Sequence, residues 1–227
     1  SGVYLLHRLR NELGLKVQVL EAGSDVGGTW FWNRYPGARC DTESMFYSYS
    51  WPKEIRQNWE WSSRYPDQEE ILFYIRNIVE KFDLKQDIRF QTRVVSACFD
   101  DARTRWTVTA ENGERFSARF CIMATGCLSE PNLPEIQGIE SFEGGIFHTA
   151  RWPQEKVNFA KQNVGVIGTG STGIQVIPIV AQEAEKLTVF QRTPQYAIPA
   201  WNGPLDQEYE AQVKANYDSL WEKARLG

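Results

Sequence analysis

Residues 164–175 read Val-Gly-Val-Ile-Gly-Thr-Gly-Ser-Thr-Gly-Ile-Gln, and this stretch decides the fold. Val164–Ile167 is the short apolar run that a strand buried in a parallel sheet requires. Gly168-x-Gly170-x-x-Gly173 follows it, and the spacing of apolar residues then predicts a helix over Ile174–Glu185. The three glycines differ in purpose. The first permits a tight strand-to-helix turn, the second lets backbone approach a pyrophosphate, and the third lets helix and strand pack closely. The free N–H groups and dipole of the helix start favour the phosphate. Alone such a motif is weak, but here it sits between an expected strand and an expected helix, the context that confirms it. Leu187–Gln191 closes the unit as a second strand, while Pro178 should kink the helix or cost it one hydrogen bond.

A related pattern opens the chain. Val3–Leu13 has helical spacing, Gly14 supplies a stop, and Leu15–Glu21 alternates with period two and ends in an acid. Helix, turn and acid-tipped strand make the second half of a βαβ mononucleotide unit. Gly2 is then expected to be the last glycine of a fingerprint whose first two precede Ser1, a chain truncated at its amino end; a plain surface helix is the alternative.

Between the two units, residues 22–66 form a long stretch rich in Gly, Trp, Tyr and Pro, a site candidate by length alone. Asp67-Gln-Glu-Glu70 opens a helix with an apolar face at Ile71, Leu72, Ile75, Ile78 and Val79. Strands are expected at Ile88–Thr92, Val94–Phe99, Arg105–Thr109 and Arg115–Met123, with a hairpin at Asn112-Gly113. Asp206–Leu226 is again helical, and a sheet left incomplete there reads as truncation at the carboxyl end too. The class is α/β, a two-dinucleotide-binding-domain plan with a small antiparallel insertion. Its expected divisions are residues 1–127, 128–195 and 196–227.

The strand tips separate the ligands. Glu21 can accept two ribose hydroxyls, which suits FAD or NAD. The matching place in the second unit holds Gln191-Arg192-Thr193 and no acid. A carboxylate repels a 2′-phosphate, whereas a guanidinium pairs with it through parallel hydrogen bonds. Arg192, assisted by Thr193, therefore reads as an NADP determinant. An acid-tipped unit followed by a base-tipped one implies a flavoprotein reduced by NADPH.

Composition narrows the class further. The 227 residues carry 25 Lys and Arg against 29 Asp and Glu, a net charge of −4 that offers no footprint for nucleic acid. No apolar run approaches the ~20 residues of a membrane span, so a soluble, cytoplasmic protein is expected. Four cysteines without a CxxC pair and only two histidines argue against a metal site. Cys121 and Cys127 do not have the vicinal spacing of a disulfide reductase, and they are expected to be buried and inert.

Two longer motifs carry a resemblance. Phe142-Glu-Gly-Gly-Ile-Phe-His148-Thr-Ala-Arg-Trp152-Pro153 matches F-x-G-x-x-x-H-x-x-x-W-P, and Gly27-Gly28-Thr-Trp30 through Tyr35-Pro36-Gly37 to Asp41 matches G-G-x-W-x-x-x-x-Y-P-G-x-x-x-D. With them the chain resembles the Baeyer–Villiger monooxygenases from Gly2 to about Pro204, most of all the phenylacetone and cyclohexanone types. Trp152-Pro153 sets it apart from related N- and S-oxidising flavin monooxygenases, whose signature is shorter.

The resemblance implies FAD and NADPH as cofactors, and a ketone and O2 as reactants that yield an ester or lactone through a flavin C4a-peroxide. It implies that Thr29, Trp30 and Trp32 line the flavin's pyrophosphate and ring, Tyr47 contacts the flavin, and Val94 lies on the adenine side. Arg39, Cys40 and Asp41 would lie beside the nicotinamide half of NADP, with Ser171, Thr172 and Gln175 at the helix start that holds its phosphates. Asp41 would support a catalytic arginine expected beyond Gly227, and His148 would hold the linker by hydrogen bonds. As a fragment, the chain is expected to be inactive and poorly folded by itself. A heteroatom-oxidising monooxygenase and a non-catalytic cofactor-binding module are the alternatives.

Overall fold

The computed structural model describes residues 1–226. From the amino end the elements are helix α1 (Gly2–Leu6), strand β1 (Val19–Leu20), and helices α2 (Thr29–Trp32), α3 (Lys53–Asn58) and α4 (Gln68–Lys81). Strands β2 (Ile88–Arg89), β3 (Val94–Asp100), β4 (Arg105–Ala110), β5 (Arg115–Ala118) and β6 (Asn163–Ile167) follow. Helix α5 (Ser171–Glu183), strand β7 (Lys186–Phe190) and helix α6 (Gln207–Leu226) complete the order. The chain packs as two units: Ser1–Trp32 with Leu72–Arg151, and Asn33–Ile71 with the chain from Trp152 onward.

In the first unit α1 does not run to Leu13 as an α-helix. It widens into π-helical turns over His7–Glu12 before Gly14, at φ +64°, ends it as the sequence requires. Strand β1 pairs in parallel with β2, Val19 opposite Ile88 and Leu20 opposite Arg89. The pairing is far shorter than Leu15–Glu21 because its partner is short: the chain turns out of the ladder at Gln91, φ +51°. Leu6, Val26, Val79, Leu84 and Ile88 form the core beneath this pair. Each fully buried aliphatic side chain there contributes roughly 1.5–3 kcal/mol.

The antiparallel insertion has the order β3-β4-β5. Its hairpin turns where expected, with Gly113 at φ +84° and the Asn112 side chain accepting the N–H of Glu114. β5 stops at Ala118 rather than Met123, because its partner there, Trp106, stands next to the start of β4. Phe120, Ile122 and Met123 are exposed in consequence. Cys127 is exposed and Cys121 only partly covered, so neither is the buried thiol expected from the sequence. Both lie beyond the last ladder pair, Trp106 with Ala118.

The second unit contains a complete β-α-β. β6 and β7 pair in parallel over five residues, from Asn163 opposite Lys186 to Ile167 opposite Phe190, and α5 makes the crossover. Val176 and Val180 on α5 are buried with Tyr35, Ala38 and Phe159. α5 runs unbroken through Pro178, so the cost is the missing N–H beneath which the Ile174 carbonyl lacks its helical donor. Helices α4 and α6 both start on an aspartate: Asp67 Oδ1 accepts the N–H of Glu70, and Asp206 Oδ1 that of Tyr209. On α4 the expected apolar face is buried at Ile71, Leu72, Ile78 and Val79.

Candidate nucleotide-binding site

β6 delivers the chain to Gly168, whose φ of +101° only glycine adopts readily and whose N–H donates to the Phe190 carbonyl at 2.9 Å. A Cβ at Gly173 would stand 2.5 Å from the Gly168 oxygen, so no larger residue fits there. At Gly170 the corresponding position is open, with nothing within 4 Å. The first turn of α5 has no side-chain cap, which leaves its N–H groups without an internal acceptor. A bare helix start under an open glycine is the surface a pyrophosphate fits, and Ser171, Thr172 and Gly173 form it. Gln191 Nε2 donates to Thr169 Oγ1 at 2.8 Å, tying the tip of β7 to the glycine turn. Arg192 and Thr193 come next, both exposed.

Against α5 lies the Tyr35–Asp41 segment of the same unit. Gly37, at φ +81°, approaches so closely that a Cβ would lie 2.5 Å from the Gln175 carbonyl oxygen and 3.0 Å from Ile179 Cγ1. The Gln175 side chain completes the contact: Oε1 accepts the Tyr35 hydroxyl at 2.8 Å and the Arg39 N–H at 3.3 Å, and Nε2 donates to the Arg39 carbonyl at 3.1 Å. Burial raises the Tyr35 hydroxyl above its ordinary range against a lowering hydrogen bond with Thr172, and the Asp41 charge adds to the rise. Cys40 is buried and its thiol is likewise raised, burial being the main cause. Arg39 and Asp41 on either side of it are exposed. Arg39, Cys40, Asp41, Gly168, Gly170, Ser171, Thr172, Gly173 and Gln175 are thus gathered at one end of α5.

The first unit brings together a second group. Glu21, just past β1, is half-buried, and its Oε1 accepts the Gly23 N–H at 2.7 Å, leaving Oε2 for a ribose hydroxyl. Gly23 is covered by Phe31, whose Cε1 would sit 2.9 Å from a Cβ there. Phe31 belongs to α2, which also carries Thr29, Trp30 and Trp32. Val94 begins β3, two residues after Thr92, whose N–H donates to the Glu21 carbonyl at 2.8 Å. Gly2 opens α1 with free space at its Cβ position and no side-chain cap from Ser1. Tyr47 belongs to the second unit, where it is exposed.

The linker motif behaves as a structural element. His148 Nδ1 accepts the Ala150 N–H at 3.1 Å. The Arg151 guanidinium stands 5.1 Å from the Trp32 ring centroid, and Trp152 lies 6.2 Å from the Phe159 ring. Sequence reasoning missed Tyr35, Thr169 and Gln191 as parts of the site, although Tyr35 and Thr169 stand inside the motifs themselves. Arg151 occupies an unspecified motif position, and nothing local marks it.

The flavin-binding monooxygenase-like family matches residues 1–208. The chain belongs to this family. A cyclohexanone 1,2-monooxygenase from Acinetobacter sp is 50% identical over 218 residues, which are 96% of this chain and 40% of that protein. The phenazine N-monooxygenase PhzNO1 of Lysobacter antibioticus is 46% identical over 225 residues, 99% of this chain and 41% of its own length. Among solved structures, an oxidized steroid monooxygenase bound to NADP superposes with a TM-score of 0.90 at 53% identity, covering 96% of this chain and 42% of that one. The chain therefore spans about two-fifths of the relatives it matches. Its fold class is that of the two-dinucleotide-binding flavin monooxygenases. Among the described residues no helix is long and apolar enough to cross a membrane, and no cluster of His, Cys, Asp or Glu has the arrangement of a metal site.

Proposed function

We propose that this chain is the cofactor-binding part of an FAD- and NADPH-dependent monooxygenase that converts ketones to esters or lactones. The observation that carries the reading is the docking of the Tyr35–Asp41 motif onto the start of α5, which sets Arg39 and Asp41 beside a phosphate cradle. Residues 1–127 would bind FAD, 128–195 the linker and NADP, and 196–227 would begin a helical insertion, in a cytoplasmic protein. Glu21 accepts the ribose hydroxyls of FAD, with Gly2, Thr29, Trp30, Trp32 and Val94 along the cofactor and Tyr47 on the flavin. Gly168, Gly170, Ser171, Thr172 and Gly173 hold the NADP pyrophosphate, and Gln175 braces this site. Arg192 and Thr193 take the 2′-phosphate, and Arg39, Cys40 and Asp41 face the nicotinamide half.

Bound flavin, once reduced, supplies the activation of O2 that places one oxygen atom beside a carbonyl and releases the other as water. The residues of this chain position the cofactors and shape the field around them. Asp41 orients a cationic group of the catalytic centre, and such a cation favours an anionic oxidant over its protonated form.

A second reading, oxidation of nitrogen or sulfur, draws support from the 46% identity to a phenazine N-monooxygenase. Trp152-Pro153 argues for ketone chemistry instead. The test supplies the flavin-loaded enzyme with NADPH, isotopically labelled O2 and a mixed panel of ketones and thioethers. Labelled ester or lactone supports the proposal; labelled sulfoxide without ester would replace it with heteroatom oxidation.

A further inference from the structure

We propose that Gln175 is a positioning residue, holding the backbone of Arg39 so that Arg39 and Asp41 meet the nicotinamide half of NADP. The inference rests on the reading of this unit as the NADP site. Its basis is what the carboxamide already does. Oε1 has two acceptor positions, and the Tyr35 hydroxyl and the Arg39 N–H occupy both. Nε2 gives a proton to the Arg39 carbonyl. The carboxamide therefore pairs with both backbone groups of one residue, as a neighbouring strand would, from a position 136 residues away in sequence.

The other edge of the same segment is also held. Cys40 N–H donates to the Pro66 carbonyl, and Gln68 N–H to the Ala38 carbonyl, each near 3 Å. Residues 38–40 are thus fixed on one side by residues 66–68 and on the other by the helix that begins at the phosphate cradle. Gly37 lets the backbone come down onto that helix, where any side chain would strike the Gln175 carbonyl. The Arg39 and Asp41 side chains remain exposed at this held segment. A group that must meet one end of a ligand is thereby referenced to the helix start that meets its middle. Orientation of this kind lowers the entropy lost when the ligand binds.

The test compares two ligands on the flavin-loaded protein by calorimetry. NADP+ spans the whole site, whereas adenosine 2′,5′-bisphosphate carries the adenine half and lacks nicotinamide. Gln175→Leu removes the hydrogen bonds while keeping the volume. The expected result is about a tenfold loss of NADP+ affinity with the bisphosphate held within about twofold, the scale of the two hydrogen bonds to Arg39 among the three that Gln175 makes. Gln175→Glu keeps an acceptor for Arg39 N–H and loses the donor to its carbonyl, so its loss should fall between. Amide hydrogen exchange at Arg39 should quicken in both variants, a readout that needs no ligand. Equal losses for the two ligands would make Gln175 a ligand of the adenine half or a simple structural residue, and no loss for either would make the brace irrelevant; both overturn the proposal. Failure of the unsubstituted protein to bind either ligand, with Arg39 exchange still quickened in Gln175→Leu, would overturn the NADP reading while leaving the brace itself intact.

Discussion

At the end of β1 stands a carboxylate, Glu21, already partly satisfied by the Gly23 N–H; beyond β7 stands the exposed guanidinium of Arg192, after a Gln191 that is tied to the glycine turn. The two units present the same kind of strand end with opposite charge. In the second, α5 is a continuous helix of 13 residues whose opening turn leaves no room for a Cβ at Gly173. In the first, α1 has five α-helical residues before it becomes π-helical. On the proposed reading one topology carries two nucleotide preferences, and the strand-tip residue sets which.

The largest expected effect is that of enlarging Gly173. Gly173→Val drives a side chain into the Gly168 carbonyl, and overpacking of that kind costs about 1–3 kcal/mol, with nucleotide binding lost as the turn moves. Unchanged thermal unfolding and unchanged NADP+ affinity in Gly173→Val would show that the turn tolerates a side chain there.

Next in size is Arg192→Ala. A charge-assisted pair with a 2′-phosphate is worth about 1.5–3 kcal/mol, so affinity for adenosine 2′,5′-bisphosphate should fall roughly tenfold to a hundredfold. Affinity for NAD+ should hardly change, and a parallel drop for both would remove Arg192 from the phosphate.

The smallest expected effects separate the units by pH. In the first, burial lowers the His7 pKa from its usual 6.5; Glu12 works against that, while Arg10 and Arg8 lower it further. The folded state therefore disfavours protonation, and stability present above about pH 6.5 is lost as pH falls through the lower folded value. In the second, burial would raise Glu43, but hydrogen bonds from Tyr209 and Arg64 outweigh it and bring its pKa below 4.5. That contribution is present above the unfolded value and lost only as pH falls through the still lower folded one. Thermal melts between pH 8 and 4 should show His7→Phe flattening the upper part of the profile and Glu43→Gln only the lowest. The same window for both variants would contradict the assignment.

Much of this was legible in the sequence because local chemistry decides it. A turn at φ +101° calls for Gly168, a three-residue hairpin loop over 111–113 for Asn112-Gly113, and a helix start for Asp67 or Asp206. The length of β1 was not legible, since it depends on where β2 ends. Nor was the exposure of Cys127, which lies past the last paired residue of β5, Ala118, and so depends on where pairing ends rather than on the residue's own preference. The brace from Gln175 to Arg39 joins residues far apart in the chain, and no spacing rule reaches that distance. Local rules therefore located the glycine turn between β6 and α5 and missed how the segment facing it is held.

The division of labour between the two units is tested most directly by mixing the flavin-loaded enzyme with NADPH or NADH without oxygen and following the loss of the oxidised flavin spectrum. Rapid bleaching is expected at low NADPH concentration, with NADH needing at least about tenfold more. Equal half-saturation by the two nucleotides, or a stronger response to NADH, would contradict that division.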